Sequence, residues 1–112
     1  MNCKLKLLFI VTSLSMAAWT LSGADIKENW DKNCASCHGK DGKGETKAGK
    51  KADVKDLTDA TYQASFTDEK MFKQIKEGMK DKNGKDKMKP FADKLTDDEV
   101  KALVAHVRSF KK

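Results

Sequence analysis

The 112-residue sequence predicts a small all-α protein. Two segments, near residues 67–78 and 96–110, combine a helix start signal with apolar residues at helical spacing. Half-buried strands typically show an alternation of apolar and polar residues, and no segment shows this convincingly. No internal repeat is present. The chain is therefore expected to consist of helices joined by loops.

Residues 1–24 have the order of a secretory signal. Two lysines precede an uncharged, mostly apolar run, and small residues lead up to Ala24. The run is shorter than the roughly 20 apolar residues that span a bilayer comfortably, so we expect cleavage after Ala24 rather than retention as a membrane anchor. Residues 25–112 would then form a single domain in the periplasm, and Cys3 would be removed with the signal.

The first helix of this domain is predicted over residues 26–34. Ile26 and Trp30 are spaced one helical turn apart and lie on one face. Residues 39–55 are predicted as a loop, because they hold four glycines and many lysines without apolar periodicity.

A second helix is predicted to begin after Thr67, an N-cap residue type followed by two acidic residues that favour the first turn. Met71, Phe72 and Ile75 form its apolar stripe. Gly78 is well placed to end the helix.

Residues 79–95 are predicted as a second loop, with a turn at Asn83-Gly84 and with Pro90 as the one proline of the chain. The last helix starts with a capping box formed by Thr96 and Glu99. Its apolar stripe follows the i, i+3, i+4, i+7 pattern of an amphipathic helix: Val100, Leu103, Val104 and Val107.

The most specific motif of the chain is Cys-Ala-Ser-Cys-His at residues 34–38, the C-x-x-C-H pattern of covalent haem attachment. Two thiols one helical turn apart can each add to a vinyl group of the porphyrin, and His38 can then bind the iron as the proximal ligand. A thioredoxin-like redox pair would need a βαβ context, and a zinc site would need a second ligand pair. Neither context is present. We therefore predict one covalently bound haem c on Cys34 and Cys37, which would also supply a small domain with an apolar body to pack on.

The sequence resembles the small, soluble class I c-type cytochromes over essentially all of residues 25–112. Several segments carry the resemblance: Trp30, the run 34–39, Asp41-Gly42-x-Gly44, Asp56-Leu57-Thr58, Ile75 with Gly78, Met88-Lys89-Pro90-Phe91 and Leu95-Thr96-Asp97-Asp98-Glu99. The resemblance implies a fold of three to five helices around one haem. It also implies that the iron is held by a histidine and a methionine and transfers single electrons.

Three methionines of the predicted mature chain are candidates for the sixth iron ligand. Met71 belongs to the apolar stripe of a helix, so we interpret it as a core residue. Met79 follows a helix end and either packs or ligates. Met88 lies in a loop stiffened by Pro90, and the resemblance points to the same residue. We predict His38 and Met88 as the axial iron ligands, with Met79 as the less favoured alternative, although most relatives place the proline directly after the ligand.

His106 is the only other histidine of the predicted mature chain. The resemblance implies that it packs where the terminal helices cross, and we do not expect it to ligate. Many relatives orient the proximal histidine through the carbonyl of a proline in the loop after the motif. Residues 45–52 contain no proline, so no acceptor for His38 is predicted.

Lysines are concentrated in the two predicted loops. The predicted mature chain carries 21 basic and 17 acidic residues, a formal charge of +4 once Lys4 and Lys6 are removed with the signal. The resemblance places both loops at the exposed haem edge, where lysines would steer the protein onto an acidic patch of a redox partner. Because acidic residues are interleaved with the lysines, an ordinary solvated surface is an open alternative.

Other partners are disfavoured by composition. The modest charge and the lack of interleaved aromatic residues argue against nucleic acid. No amphipathic anchor is left after cleavage to support membrane insertion, and we expect a monomer.

Two classes of function are compatible with a bound haem. An electron carrier keeps both axial positions filled, whereas a haem peroxidase or gas-binding protein needs a labile sixth ligand and a distal histidine or arginine. The predicted mature chain offers only His106 and Arg108 for that distal role, both on the last helix. We therefore predict a single-electron carrier and not an enzyme.

Overall fold

The computed structural model describes residues 23–112, which form six helices and one two-stranded antiparallel ribbon. The elements are α1 (Gly23–Asn33), α2 (Ala35–His38), α3 (Lys47–Ala52), α4 (Ala60–Ala64), α5 (Asp68–Glu77), β1 (Met79–Lys80), β2 (Asp86–Met88) and α6 (Asp97–Ser109). The mostly helical fold confirms the all-α prediction. The six helices exceed the three to five that the resemblance implied. The additional ones are short: α2, α3 and α4 have four to six residues each and carry little apolar periodicity.

The predicted signal lies outside the described residues, apart from Gly23 and Ala24 at the start of α1. Helix α1 therefore begins three residues before the predicted 26–34. Among residues 23–112, no helix is long and apolar enough to cross a membrane.

The terminal helices α1 and α6 pack against each other through aromatic rings. The ring of Trp30 is 2% exposed, and its centroid lies 5.2 Å from that of His106 and 5.1 Å from that of Phe110. A hydrogen bond of 2.8 Å from Asn29 Nδ2 to Glu99 Oε2 adds a polar link. His106 thus packs at the helix crossing, as the resemblance implied.

Helix α6 forms as predicted. Thr96 Oγ1 accepts a hydrogen bond from the Glu99 backbone N–H, and Glu99 Oε1 accepts one from the Thr96 N–H, which completes the capping box. All four residues of the predicted apolar stripe are buried, namely Val100, Leu103, Val104 and Val107. The helix is therefore a central part of the core.

Helix α5 also has the predicted caps. Thr67 Oγ1 accepts a hydrogen bond from the Lys70 N–H, and Gly78 ends the helix with a φ of +73°. A Cβ on Gly78 would lie 2.5 Å from the carbonyl oxygen of Met88, so only glycine allows this close approach. Met71 and Ile75 are buried, whereas Phe72 is half-buried.

The prediction that residues 79–95 form a plain loop is wrong in its first half. Strands β1 and β2 pair there, and the Asp81 N–H donates to the Lys85 carbonyl across the predicted Asn83-Gly84 turn. Strands of two and three residues are too short to show an alternating pattern in the sequence.

The prediction that residues 39–55 form a loop is also wrong in part, because they contain α3. Thr46 Oγ1 caps this helix by accepting a hydrogen bond of 2.8 Å from the Gly49 N–H. Helix α3 packs against α2, so tertiary contact stabilises a six-residue segment that is too short to be a stable helix on its own.

A buried polar network ties α4 to the end of α6. Gln63 is 1% exposed, and its Nε2 donates to the carbonyls of Leu57 (2.6 Å) and Val107 (2.7 Å). The Arg108 guanidinium donates to Gln63, to the Phe66 carbonyl at 2.7 Å and to a carboxylate of α5. This network was not visible in the sequence, because its partners are distant along the chain.

We expect Gln63→Leu to lower the free energy of unfolding by about 1–3 kcal/mol, since it leaves buried carbonyls without their donor. Urea unfolding measures this loss. Gln74→Leu on the half-buried side of α5 is the matched control, with an expected change within about 0.5 kcal/mol. Equal losses in the two variants would contradict a specific role for the Gln63 network.

Candidate functional site

A cleft of about 560 Å³ brings together three distant parts of the chain. The first is the C-x-x-C-H motif, which spans Cys34 and α2, with the two residues before it. The second is the segment 53–62, which contributes Leu57 and Tyr62, and the third is the ribbon with the residues that follow it. Its size is within the roughly 300–1,000 Å³ typical of ligand pockets.

The C-terminal end of α2 is fixed by three hydrogen bonds to consecutive carbonyl groups. The Cys37 carbonyl accepts from Thr46 Oγ1 at 2.8 Å, the His38 carbonyl from the Gly44 N–H at 2.8 Å, and the Gly39 carbonyl from Trp30 Nε1 at 3.0 Å. Helix ends leave carbonyls that need such partners. The segment between α2 and α3, together with α1, therefore sets the orientation of the motif.

Gly49 lets α3 approach the motif closely. A Cβ at this position would overlap the carbonyl oxygen of Cys37 and would lie 2.6 Å from that of Gly44. No side chain larger than hydrogen fits between α3 and α2 without a backbone shift.

The His38 ring lies against Trp30, with a centroid separation of 5.7 Å. Burial lowers the pKa of His38, so its imidazole is neutral at pH 7, which is the form that binds metals. Its Nδ1 is buried and has no hydrogen-bond partner within residues 23–112. The described residues therefore offer no acceptor in the role that a proline carbonyl has in many relatives.

The surroundings of the two motif cysteines disfavour a thioredoxin-like pair and a metal cluster. Burial, followed by the charge of Cys37, raises the pKa of the Cys34 thiol to about 12, whereas reactive redox thiols have a lowered pKa. Within residues 23–112, no group of three or more His, Cys, Asp or Glu side chains is placed to hold a metal ion. The surroundings of the cysteines therefore favour the haem-attachment interpretation.

The methionines differ in position. Met71 is buried in the core and does not line the cleft, which agrees with its interpretation as a packing residue. Met79 and Met88 both line the cleft. Met88 is half-buried against the core, whereas Met79 is 38% exposed. The cleft thus unites Cys34, Cys37 and His38 with both candidate methionines.

Residues 21–107 match the family described as cytochrome c oxidase, cbb3-type, subunit III. The chain belongs to this family of c-type cytochrome domains. It is also similar to a solved structure of the KustC0563 c-type cytochrome, with 40% identity and a TM-score of 0.66 over 77% of this chain and 96% of that chain. A mutant of the same cytochrome gives the same identity and TM-score over 78% and 99%. No curated protein matches the sequence.

As a c-type cytochrome, the protein binds haem c covalently and takes part in electron transfer. The residues of the cleft fit such a group: a neutral, positioned imidazole and two thiols lie on one helical turn, and apolar residues such as Leu57 and Phe91 are part of the wall. Sequence reasoning missed Thr46, which connects α3 to the motif. Its residue type at an N-cap was the available signal.

We expect Thr46→Val in this cytochrome to lower the free energy of unfolding by about 1–2 kcal/mol, because it removes both the cap of α3 and the donor to the Cys37 carbonyl. Thr46→Ser keeps the hydroxyl and should recover most of the loss. Urea unfolding of the haem-loaded variants measures the difference. A serine variant as unstable as the valine variant would contradict the hydrogen-bonding role.

Proposed function

We propose that this c-type cytochrome is an exported, monomeric carrier of single electrons. The observation that supports this best is the cleft, which is lined by Met88 of β2 together with Cys34, the N-cap of α2, and Cys37 and His38 of α2. In the proposal, both cysteines form thioethers to one haem, and His38 and Met88 bind its iron. The bound haem supplies reversible one-electron chemistry between the ferrous and ferric states.

Each side chain has a separate task. Because His38 Nδ1 is buried in the protein, Nε2 is the nitrogen that His38 would offer to iron. The Met88 thioether raises the reduction potential relative to a second histidine. Leu57 and Phe91, both buried, limit the access of water to the cleft.

Within residues 23–112, the cleft lacks the distal histidine or arginine that peroxide chemistry would need. Among the described residues that line it, His38 is the one histidine, and no arginine is present. His106 packs against Trp30 and Phe110, and Arg108 is held by Gln63, Phe66 and Asp68. This arrangement favours a carrier over the peroxidase or gas-binding alternative.

Absorption spectra of the exported, haem-loaded protein test the proposal. A carrier gives low-spin ferric and ferrous spectra, a ferric sulfur-to-iron charge-transfer band, and no change on adding carbon monoxide. A high-spin spectrum that shifts with carbon monoxide would contradict it and support a peroxidase or gas-binding protein. Mass spectrometry of the same sample reports whether the chain begins after Ala24, as the proposed export requires.

The surface around the cleft suggests the kind of partner. Five exposed lysines line it, against two aspartates: Lys32, Lys55, Lys87, Lys89 and Lys94 against Asp53 and Asp86. One of these lysines is paired, since Lys55 Nζ lies 3.3 Å from Asp53 Oδ2. We propose that the remaining positive charge steers the protein onto an acidic patch of a periplasmic redox protein.

Electron transfer to an anionic oxidant, ferricyanide, should therefore slow as ionic strength rises. The attraction between the lysines and the oxidant extends over about 30 Å at 0.01 M salt but over only about 10 Å at 0.1 M salt. Stopped-flow oxidation of the ferrous protein measures this. Lys87→Gln/Lys89→Gln should weaken the salt dependence, whereas Lys70→Gln/Lys101→Gln, away from the cleft, should leave it nearly unchanged. A rate indifferent to salt, or equal effects of the two pairs, would contradict steering by the cleft lysines.

A further inference from the structure

Met79 and Met88 are direct partners in the ribbon. The antiparallel register places Met79 opposite Met88, with an irregularity between Met79 and Lys80. Side chains of directly paired residues emerge on the same face of a ribbon, with Cβ atoms about 4.5–5.5 Å apart. The two thioethers therefore leave the backbone side by side.

Both side chains line the cleft that contains His38, but their packing differs. Met88 is half-buried against the core, which holds its side chain in place. Met79 is 38% exposed and is the only large hydrophobic side chain exposed within residues 23–112. An unbranched methionine has three rotatable bonds and a polarisable sulfur, so Met79 can reach toward the position of its neighbour by rotation of its side chain alone.

The backbone beneath this pair is fixed. Gly78 lies so close to the Met88 carbonyl and the Pro90 nitrogen that no Cβ fits between them. The Phe91 N–H donates to the Ile75 carbonyl at 3.1 Å, which fastens the segment after β2 to α5. An exchange of one thioether for the other thus requires new rotamers but no change of strand register.

We propose that Met79 is a reserve axial ligand of this cytochrome. If the sulfur of Met88 did not hold the iron, the sulfur of Met79 would hold it instead, an exchange of one neutral thioether for another with no change in the number of electrons. The inference rests on the proposed function, because it takes Met88 as the resting ligand. The exchange of ligands would keep a thioether on the iron, and with it the raised reduction potential, after damage to Met88.

The test compares ferric absorption spectra and reduction potentials of haem-loaded variants. Met88→Ala leaves room for Met79, and it should retain about half or more of the sulfur-to-iron band at a shifted wavelength. Met79→Ala/Met88→Ala should lose the band entirely. Lys80→Ala/Met88→Ala is the matched control, because it removes the 2.6 Å ion pair of the ribbon with Asp86 but keeps the Met79 thioether; it should behave like Met88→Ala.

Loss of the band in Met88→Ala would overturn the reserve role and leave the proposed function intact. A Met88→Ala protein identical to wild type in band position and potential would also overturn it, since Met79 would then be the resting ligand. Absence of the band from the wild-type protein would instead refute the proposed function. If Met88→Ala does not accumulate with haem, Met88→Leu keeps more of the apolar contact and is subject to the same criteria.

Discussion

The Cys34→Ala/Cys37→Ala double variant is expected to lose most of its helical structure. Without thioethers the haem is not held, and several buried residues that line the cleft lose the surface on which they pack, among them Leu57 and Phe91. Domains of this size bury little apolar surface and commonly depend on a cofactor or cross-link. We expect the helical ellipticity in far-ultraviolet circular dichroism to fall below about half that of the haem-loaded protein.

Ser36→Ala is the control for this experiment, because Ser36 is an exposed residue between the two cysteines and carries no thiol. It should load haem and show wild-type ellipticity. A double cysteine variant with native-like helix content would contradict the dependence on haem, and would mean that the helices pack on one another around an empty cleft.

The elements that could be predicted from the sequence are those whose signals are local. Helices α5 and α6 have N-cap threonines and apolar stripes within a single segment, so their positions and, apart from the half-buried Phe72, their buried faces were predicted correctly. The C-x-x-C-H motif can likewise be recognised from five consecutive residues, because one helical turn fixes the spacing of its two thiols and its imidazole.

The features that were missed depend on contacts between distant residues. Helix α3 forms where glycine-rich, lysine-rich sequence meets the back of the haem motif, and Gly49 is needed for that contact. The ribbon requires the pairing of Met79 with Met88 across a turn, and its strands are too short for periodicity. Gln63 looks like an ordinary surface residue in the sequence, but it is buried because α6 supplies its partners Val107 and Arg108.

Trp30→Ala should cause the largest loss of stability among single substitutions in this chain. The indole fills the crossing of α1 and α6 and also donates to the Gly39 carbonyl beside the haem motif. Truncation of a buried tryptophan or phenylalanine to alanine typically costs about 3–5 kcal/mol. That is a large share of the roughly 5–15 kcal/mol that stabilises a whole domain, so urea unfolding of the haem-loaded variant should show a much lower midpoint.

Trp30→Phe separates the two contributions of the indole. Phenylalanine keeps a ring between His106 and Phe110 but cannot donate to the Gly39 carbonyl, so we expect a loss of about 1–2 kcal/mol, between wild type and Trp30→Ala. If the phenylalanine and alanine variants were equally unstable, the hydrogen bond beside the motif would dominate over packing. If Trp30→Ala lost less than about 1 kcal/mol, the helix crossing would not be a main support of the fold. The haem motif would then be held chiefly by Gly44 and Thr46, whose bonds to its carbonyls do not involve the indole.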